Sequence, residues 1–246
     1  MKTWKNNISF VLIEPKEAGN IGASARAIKN MGFKNLSLVN PRTEITDEAR
    51  WFACNALDVL GKSEAYNDIR DAIKDKALVV GATRRKGKRR GVFLPVSEAA
   101  RRLFEIGRKN KIAILFGRED RGLFNEEVEE CGFLITIPSS KEQPSLNLAQ
   151  SVLITAYELS KAEYSEGGGR DQTGDGQKLI SHEGLSSLYE RISRILKLLE
   201  YIPQGSRDLE KKIMRNLKHF IGRAGFTEWE MKMLHGICSQ IEKKLA

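Results

Sequence analysis

Three short segments gather polar and charged side chains where a hydrophobic run gives way to a turn: Asn20-Ile-Gly22-Ala-Ser-Ala-Arg26, Phe116-Gly117-Arg-Glu119-Asp-Arg-Gly122-Leu and Pro144-Ser145-Leu146-Asn147-Leu. In the first, Gly19 and Gly22 let backbone approach closely, and a helix starting there offers N–H groups suited to a phosphate. Arg26, one turn beyond Gly22, is a permanent cation. In the second, Gly117 and Gly122 bracket Arg118, Glu119, Asp120 and Arg121, a dense set of charges for one turn. The third supplies the Ser145 hydroxyl, the Asn147 amide and exposed backbone at the start of a helix. Together such groups can hold a phosphate and orient a hydroxyl. Each also has a plain account: ordinary packing of a helix on a strand beside a surface arginine, a solvated turn, and a serine N-cap.

Other chemistries are excluded. The only histidines are His182, His219 and His235, all in the C-terminal third, so the first two-thirds cannot build a histidine-based metal or acid–base centre. Cys54, Cys131 and Cys238 are far apart and form no C-x-x-C pair, which suggests neither zinc nor a disulfide framework. No apolar run of about 18 residues is present, so no membrane span is expected. The N-terminus lacks the pattern of a signal peptide, and cytoplasm is the expected location. With 246 residues, 30% charged and 41% hydrophobic, the chain has the composition of a soluble globular protein. Its net charge of +9 favours a polyanionic partner. Six cations crowd into seven residues at Arg84, Arg85, Lys86, Lys88, Arg89 and Arg90. That run directly follows the strand-like Ala77-Leu-Val-Val80, and strand C-terminal ends are where α/β folds bind ligands. It could be a solvated loop; its placement favours contact with a phosphate backbone.

The elements that must position these groups alternate. Strand-like runs occupy Ile8 to Ile13, Asn35 to Val39, Ala77 to Val80, Lys111 to Phe116 and Gly132 to Ile137. Helical stretches begin near Gly19 and run over Asp47 to Leu60, Tyr66 to Ile73, Val96 to Arg108 with Ser97 as N-cap, Asn125 to Glu130, and Asn147 to Lys161. Short buried strands alternating with helices indicate an α/β domain with a mainly parallel sheet. The pattern breaks over Ser165 to Gln177, which is rich in glycine and free of large apolar residues, and reads as a flexible linker. Beyond it, apolar residues recur at three- and four-residue spacing in three amphipathic helices. The expected organisation is therefore a domain over 1–164, a linker over 165–177 and a small all-helical domain over 178–246.

A dinucleotide-binding reading fails on spacing. The chain has G-x-x-G where the fingerprint needs G-x-G-x-x-G, and its second strand ends in Val39-Asn40-Pro41 rather than an acidic residue. The order and spacing of the three segments instead resemble the motifs of the SpoU branch of the SPOUT methyltransferases, over roughly residues 7 to 160. The resemblance implies a sheet ending in a deep trefoil knot between about Lys111 and Leu159, and methyl transfer from S-adenosylmethionine to an RNA ribose, with no metal required. Carried over by motif, the donor contacts are Ala82, Thr83, Arg84, Gly117, Ile137, Ser145, Leu146 and Asn147. The catalytic set is Arg26, with Asn20, Glu119, Ser145 and Asn147 positioning the reacting groups. It further implies a homodimer through the knotted domain, in which Arg26 of one subunit faces the donor pocket of the other.

Within that family the C-terminal helical appendage and Glu14-Pro15 ahead of the first motif are most similar to enzymes that methylate nucleotide 32 of the tRNA anticodon loop. A ribosomal RNA methylase, or a catalytically silent RNA-binding protein on the same fold, would share much of the pattern. Lys211, Arg215 and Lys218 fall at i, i+4 and i+7, a basic stripe that is either a solvated face or a grip on tRNA. Arg26 and the cations of the 84–90 run complete the expected RNA contacts.

Overall fold

The structure, a computed structural model, describes residues 3–85, 87, 90–166, 177–203 and 207–245. Its centre is a seven-stranded sheet made of β1 (Ile8–Ile13), β2 (Asn35–Val39), β3 (Glu64–Tyr66), β4 (Leu78–Ala82), β5 (Phe93–Pro95), β6 (Ile112–Phe116) and β7 (Phe133–Thr136). The strand order is β3-β2-β1-β6-β4-β7-β5, and the pairings between these seven strands are all parallel. The five inner strands are the five apolar runs of the sequence. Residues of β1 and β6 are buried throughout, as strands covered on both faces must be. Alternation divides them between two cores: Phe10, Leu12, Ile114 and Phe116 face one, Val11, Ile13, Ala113 and Leu115 the other.

The helices are α1 (Ala18–Asn30), α2 (Asp47–Ala53), α3 (Leu57–Gly61), α4 (Ile69–Ile73), α5 (Val96–Gly107), α6 (Asn125–Glu129), α7 (Leu148–Glu166), α8 (His182–Leu198), α9 (Arg207–Ala224) and α10 (Glu228–Leu245). Four expectations change. The stretch from Asp47 to Leu60 is broken at Cys54, whose φ of 48° ends α2, and a 3-10 turn leads into α3. Tyr66 belongs to β3, and α4 starts only after Asp68, whose carboxylate accepts from Arg70 N at 2.7 Å. Ser97 lies inside the first turn of α5, after Pro95 as N-cap. The linker expected from residue 165 does not hold for its first two residues, because α7 continues to Glu166; 167–176 lie outside the described residues.

The three C-terminal helices form two apolar clusters, one around Leu185, Tyr189 and Ile221, the other around Leu188, Ile195 and Cys238. They are docked onto the α/β body. The Asn110 amide donates to the Gln177 carbonyl at 3.0 Å and accepts from Leu179 N at 2.8 Å. His182 N and Glu183 N donate to the carbonyls of Lys76 and Lys74. At Gly132 the backbones meet: a Cβ there would lie 2.3 Å from the Gly222 oxygen, so only glycine allows the contact.

Candidate active site

Because β6 enters the sheet between β1 and β4, the chain has run outward on one side and then the other before returning to the centre. Open α/β sheets bind ligands beside such a reversal, at the strands' carboxyl ends. An open cleft of about 840 Å³, solvent-facing space included, lies at the ends of β4, β6 and β7. Ala82, Thr83, Arg84, Gly117, Ile137, Ser145 and Leu146 all line it, together with Arg85, Glu119, Ile135 and Leu148. Of the expected donor contacts only Asn147 is absent from the lining.

One wall is the turn after β6. Arg118 N donates to Gly122 O at 3.3 Å, and Gly122 N returns the bond to Arg118 O at 2.8 Å. A Cβ on Gly117 would sit 2.0 Å from the Gly122 carbonyl carbon, so this position needs glycine for the turn to close. Arg118, 7% exposed, buries its side chain beneath the cleft wall. It donates to Glu14 at 2.6 Å and Glu127 at 2.8 Å, and its guanidinium lies 4.0 Å from the Phe124 ring centroid. The hydrogen bond from Arg118, with a second from Arg42, outweighs desolvation and holds the Glu14 carboxyl down at about 2. The sequence reading assigned no role to Arg118, Glu14 or Glu127. Nothing in a single sequence pairs residues 104 positions apart.

Glu119 joins the motifs. Its carboxylate accepts from Lys16 N at 3.2 Å, Glu17 N at 3.4 Å and the Asn20 amide at 3.0 Å. The Asn147 amide in turn donates to Asn20 Oδ1 at 2.9 Å. Groups from all three segments thus form one hydrogen-bonded chain. Lys16 N and Glu17 N, just ahead of α1, face the protein's own carboxylate. Asn147, not Ser145, caps α7: its Oδ1 accepts from Ala149 N at 2.8 Å, and Ser145 is left exposed in the cleft wall.

Arg26 lies outside this cleft, exposed on α1 with its Nη1 3.4 Å from Cys54 Sγ. Gly22, one turn earlier, lets α1 lie on α2: a Cβ there would be 1.9 Å from the Ala49 oxygen. Trp51, Phe52 and Leu57, flanking Cys54 in sequence, are exposed, as are Leu153 and Tyr157 on α7.

The expected RNA contacts divide. Arg84 and Arg85 are exposed on the cleft rim, whereas Lys86, Lys88 and Arg89 lie outside the described residues. Arg90 turns inward, donating to Leu123 O at 2.7 Å and to Asn125 Oδ1 at 3.3 Å. On α9, Lys211 is exposed, but Arg215 pairs with Glu129 at 3.4 Å and Lys218 with Glu130 at 3.0 Å. The stripe's spacing puts these cations on one face; α6 makes that face a docking surface. His182 also meets Glu130, at 2.9 Å. Burial works against a charge on Glu130, but His182 and Lys218 prevail and its carboxyl stays at about 2. Among the described residues, no group of His, Cys, Asp or Glu is arranged to hold a metal ion, and no helix is long and apolar enough to cross a membrane.

Residues 7–157 match the SpoU rRNA Methylase family. The chain is 32% identical over 238 residues to the tRNA (cytidine/uridine-2′-O-)-methyltransferase TrmJ of Sodalis glossinidius, covering 96% of this chain and 92% of that protein. It is 31% identical over 228 residues to the tRNA (cytidine-2′-O-)-methyltransferase TrmJ of Methanocaldococcus jannaschii, covering 91% and 96%. The crystal structure of TrmJ from Z. mobilis ZM4 matches with a TM-score of 0.78 at 29% identity, over 95% of this chain and 98% of that one. With a parallel sheet, a cleft lined by the second and third motifs and tied by hydrogen bonds to the first, and a likeness that runs through the helical region, the chain belongs to the SpoU rRNA methylase family.

Proposed function

We propose that this protein transfers a methyl group from S-adenosylmethionine to a ribose 2′-hydroxyl of tRNA, at nucleotide 32 of the anticodon loop, in the cytoplasm. The observation that carries this reading is the hydrogen-bonded chain from Asn147 through Asn20 to Glu119 beside the cleft. Relatives that methylate tRNA ribose match nearly the whole length, helical region included, which supports tRNA as the acceptor.

Bound in the cleft, S-adenosylmethionine would supply a methyl group on a positively charged sulfur. The lining fits such a molecule: Ile135, Ile137 and Leu146 offer an apolar surface for adenine, while Glu119 and Asp120 put carboxylates on the turn. Departure of a neutral thioether calls for no general acid. The protein's tasks are to orient the acceptor hydroxyl and to have its proton removed. Arg26 clamps the adjacent phosphate and the nucleophilic oxygen. A guanidinium holds its protons too tightly to be a good base, so the proton leaves with help from the phosphate or from Arg26. Asn20, Glu119 and Asn147 keep the three loops in register, and Ser145 faces the reacting groups.

Arg26 meets this task from a second subunit. It does not line its own chain's cleft, and the exposed Trp51, Phe52, Leu57, Leu153 and Tyr157 supply apolar surface for pairing through the α/β body. The threaded path between Lys111 and Leu159 belongs to the same reading. The test is methylation of unmodified tRNA and ribosomal RNA transcripts, with the modified nucleotide mapped. Ribose methylation at nucleotide 32 of tRNA is expected. Methylation of ribosomal RNA alone overturns the substrate, and another tRNA nucleotide overturns the position.

A further inference from the structure

We infer that α9 braces α6 and thereby positions the cleft turn 117–122, making Arg215 and Lys218 positioning residues for donor binding; this rests on the cleft being the donor site. The starting point is how little α6 can do alone. It has five residues, too few to be stable without tertiary support. Its inner side carries Glu127, 8% exposed, whose Oε1 accepts from Arg118 at 2.8 Å and whose Oε2 accepts from Phe124 N at 2.6 Å. Arg118 is the residue whose backbone bridges to Gly122, and the next residue is Glu119. The cleft turn is therefore anchored to α6 by a buried ion pair.

The outer side of the same segment is held by the helical region. Glu129 meets Arg215, Glu130 meets Lys218 and His182, and Gly132 meets Gly222 backbone to backbone. Arg90 adds a tie to Leu123 and Asn125. Between β6 and β7, then, the chain is gripped from the cleft side by Arg118 and from the far side by α9. If α6 moves, Glu127 leaves a guanidinium that is only 7% exposed, and a buried charge that loses its partner is strongly disfavoured. The segment is either seated on both sides or released from both.

Two sites joined in this way must act on each other equally. The experiment titrates S-adenosylmethionine calorimetrically into the full-length protein carrying Arg215→Glu, the swap Arg215→Glu with Glu129→Arg, or Gly222→Ala. Arg215→Glu is expected to weaken donor binding about fivefold, the low end of couplings between linked sites. The swap restores it, and turnover at saturating donor stays near wild type while KM for the donor rises. Gly222→Ala, whose Cβ would lie 3.0 Å from Gly132 Cα, pushes on the same contact without touching a charge and weakens donor binding too. Conversely, added donor slows amide hydrogen exchange across α9. Unchanged donor affinity in Arg215→Glu and Gly222→Ala, with or without a loss of tRNA binding, overturns the brace. So does a loss that the swap fails to restore. A wild-type protein that does not bind the donor overturns the proposed function and the brace together, which separates the two failures.

Discussion

Arg118 in the turn after β6 and Arg26 on the outer face of α1 both belong to motifs, and the two are handled in opposite ways. Arg118 is buried, held by two carboxylates and an aromatic ring; Arg26 is exposed, with a single thiol contact. A guanidinium clamped between buried carboxylates fixes architecture. One held in place yet open can meet a ligand. Proximity to a cleft is a poor guide to which is which: Arg118 belongs to the cleft turn, and Arg26 lies outside it.

The contrast breaks if the two residues fail in the same manner. Arg26→Ala should lower methyl transfer by roughly 10³-fold, as loss of a transition-state donor does. Stability should shift by less than about 0.5 kcal/mol for such a surface change. Donor affinity measured by calorimetry should hold; a large loss of it would place Arg26 with the architectural group. Arg118→Ala should do the reverse first, costing about 3–5 kcal/mol in urea unfolding because Glu14 and Glu127 are left uncompensated. Adding Glu14→Gln and Glu127→Gln should recover part of that loss.

Acid sharpens the same contrast. Glu14 has its folded pKa depressed from 4.5 to about 2, so its contribution is complete above pH 4.5 and is lost as pH falls from 4.5 toward 2. Glu130 behaves alike through His182 and Lys218. Unfolding measured from pH 5 to 2 should therefore steepen on the acid side. Replacing Arg118 with Met should flatten the Glu14 part and leave the Glu130 part. Smaller still, Asn147→Ala should cost about 1 kcal/mol as a lost helix cap, along with reduced turnover. Lys211→Ala should change only tRNA affinity, and its dependence on salt, by about one phosphate contact.

Much of this was legible in the sequence because burial is written in it. All five inner strands are apolar runs, and the three segments fall where such runs end. The missed strands, β3 and β5, are the sheet's edges, three residues each, with too short a run for any period to register. Ser145 and Asn147 are both good caps by type, and only the helix start decides that Asn147 serves. The surroundings of the basic stripe on α9 were hidden for a deeper reason. Spacing fixes which residues share a face, but whether that face meets water or Glu129 and Glu130 depends on residues some 86 positions away. Arg90 was misread likewise, its partners lying on the far side of β6.

The carboxylate of Glu119, seated where α1 begins, also sets a boundary on what this scaffold could become. A βα turn of similar outline in other folds cradles nucleotides, yet here the berth already has a resident fastened by three donors. Mutational drift toward a mononucleotide-binding protein would first have to evict that occupant and, in doing so, cut the tie between the first and second motifs.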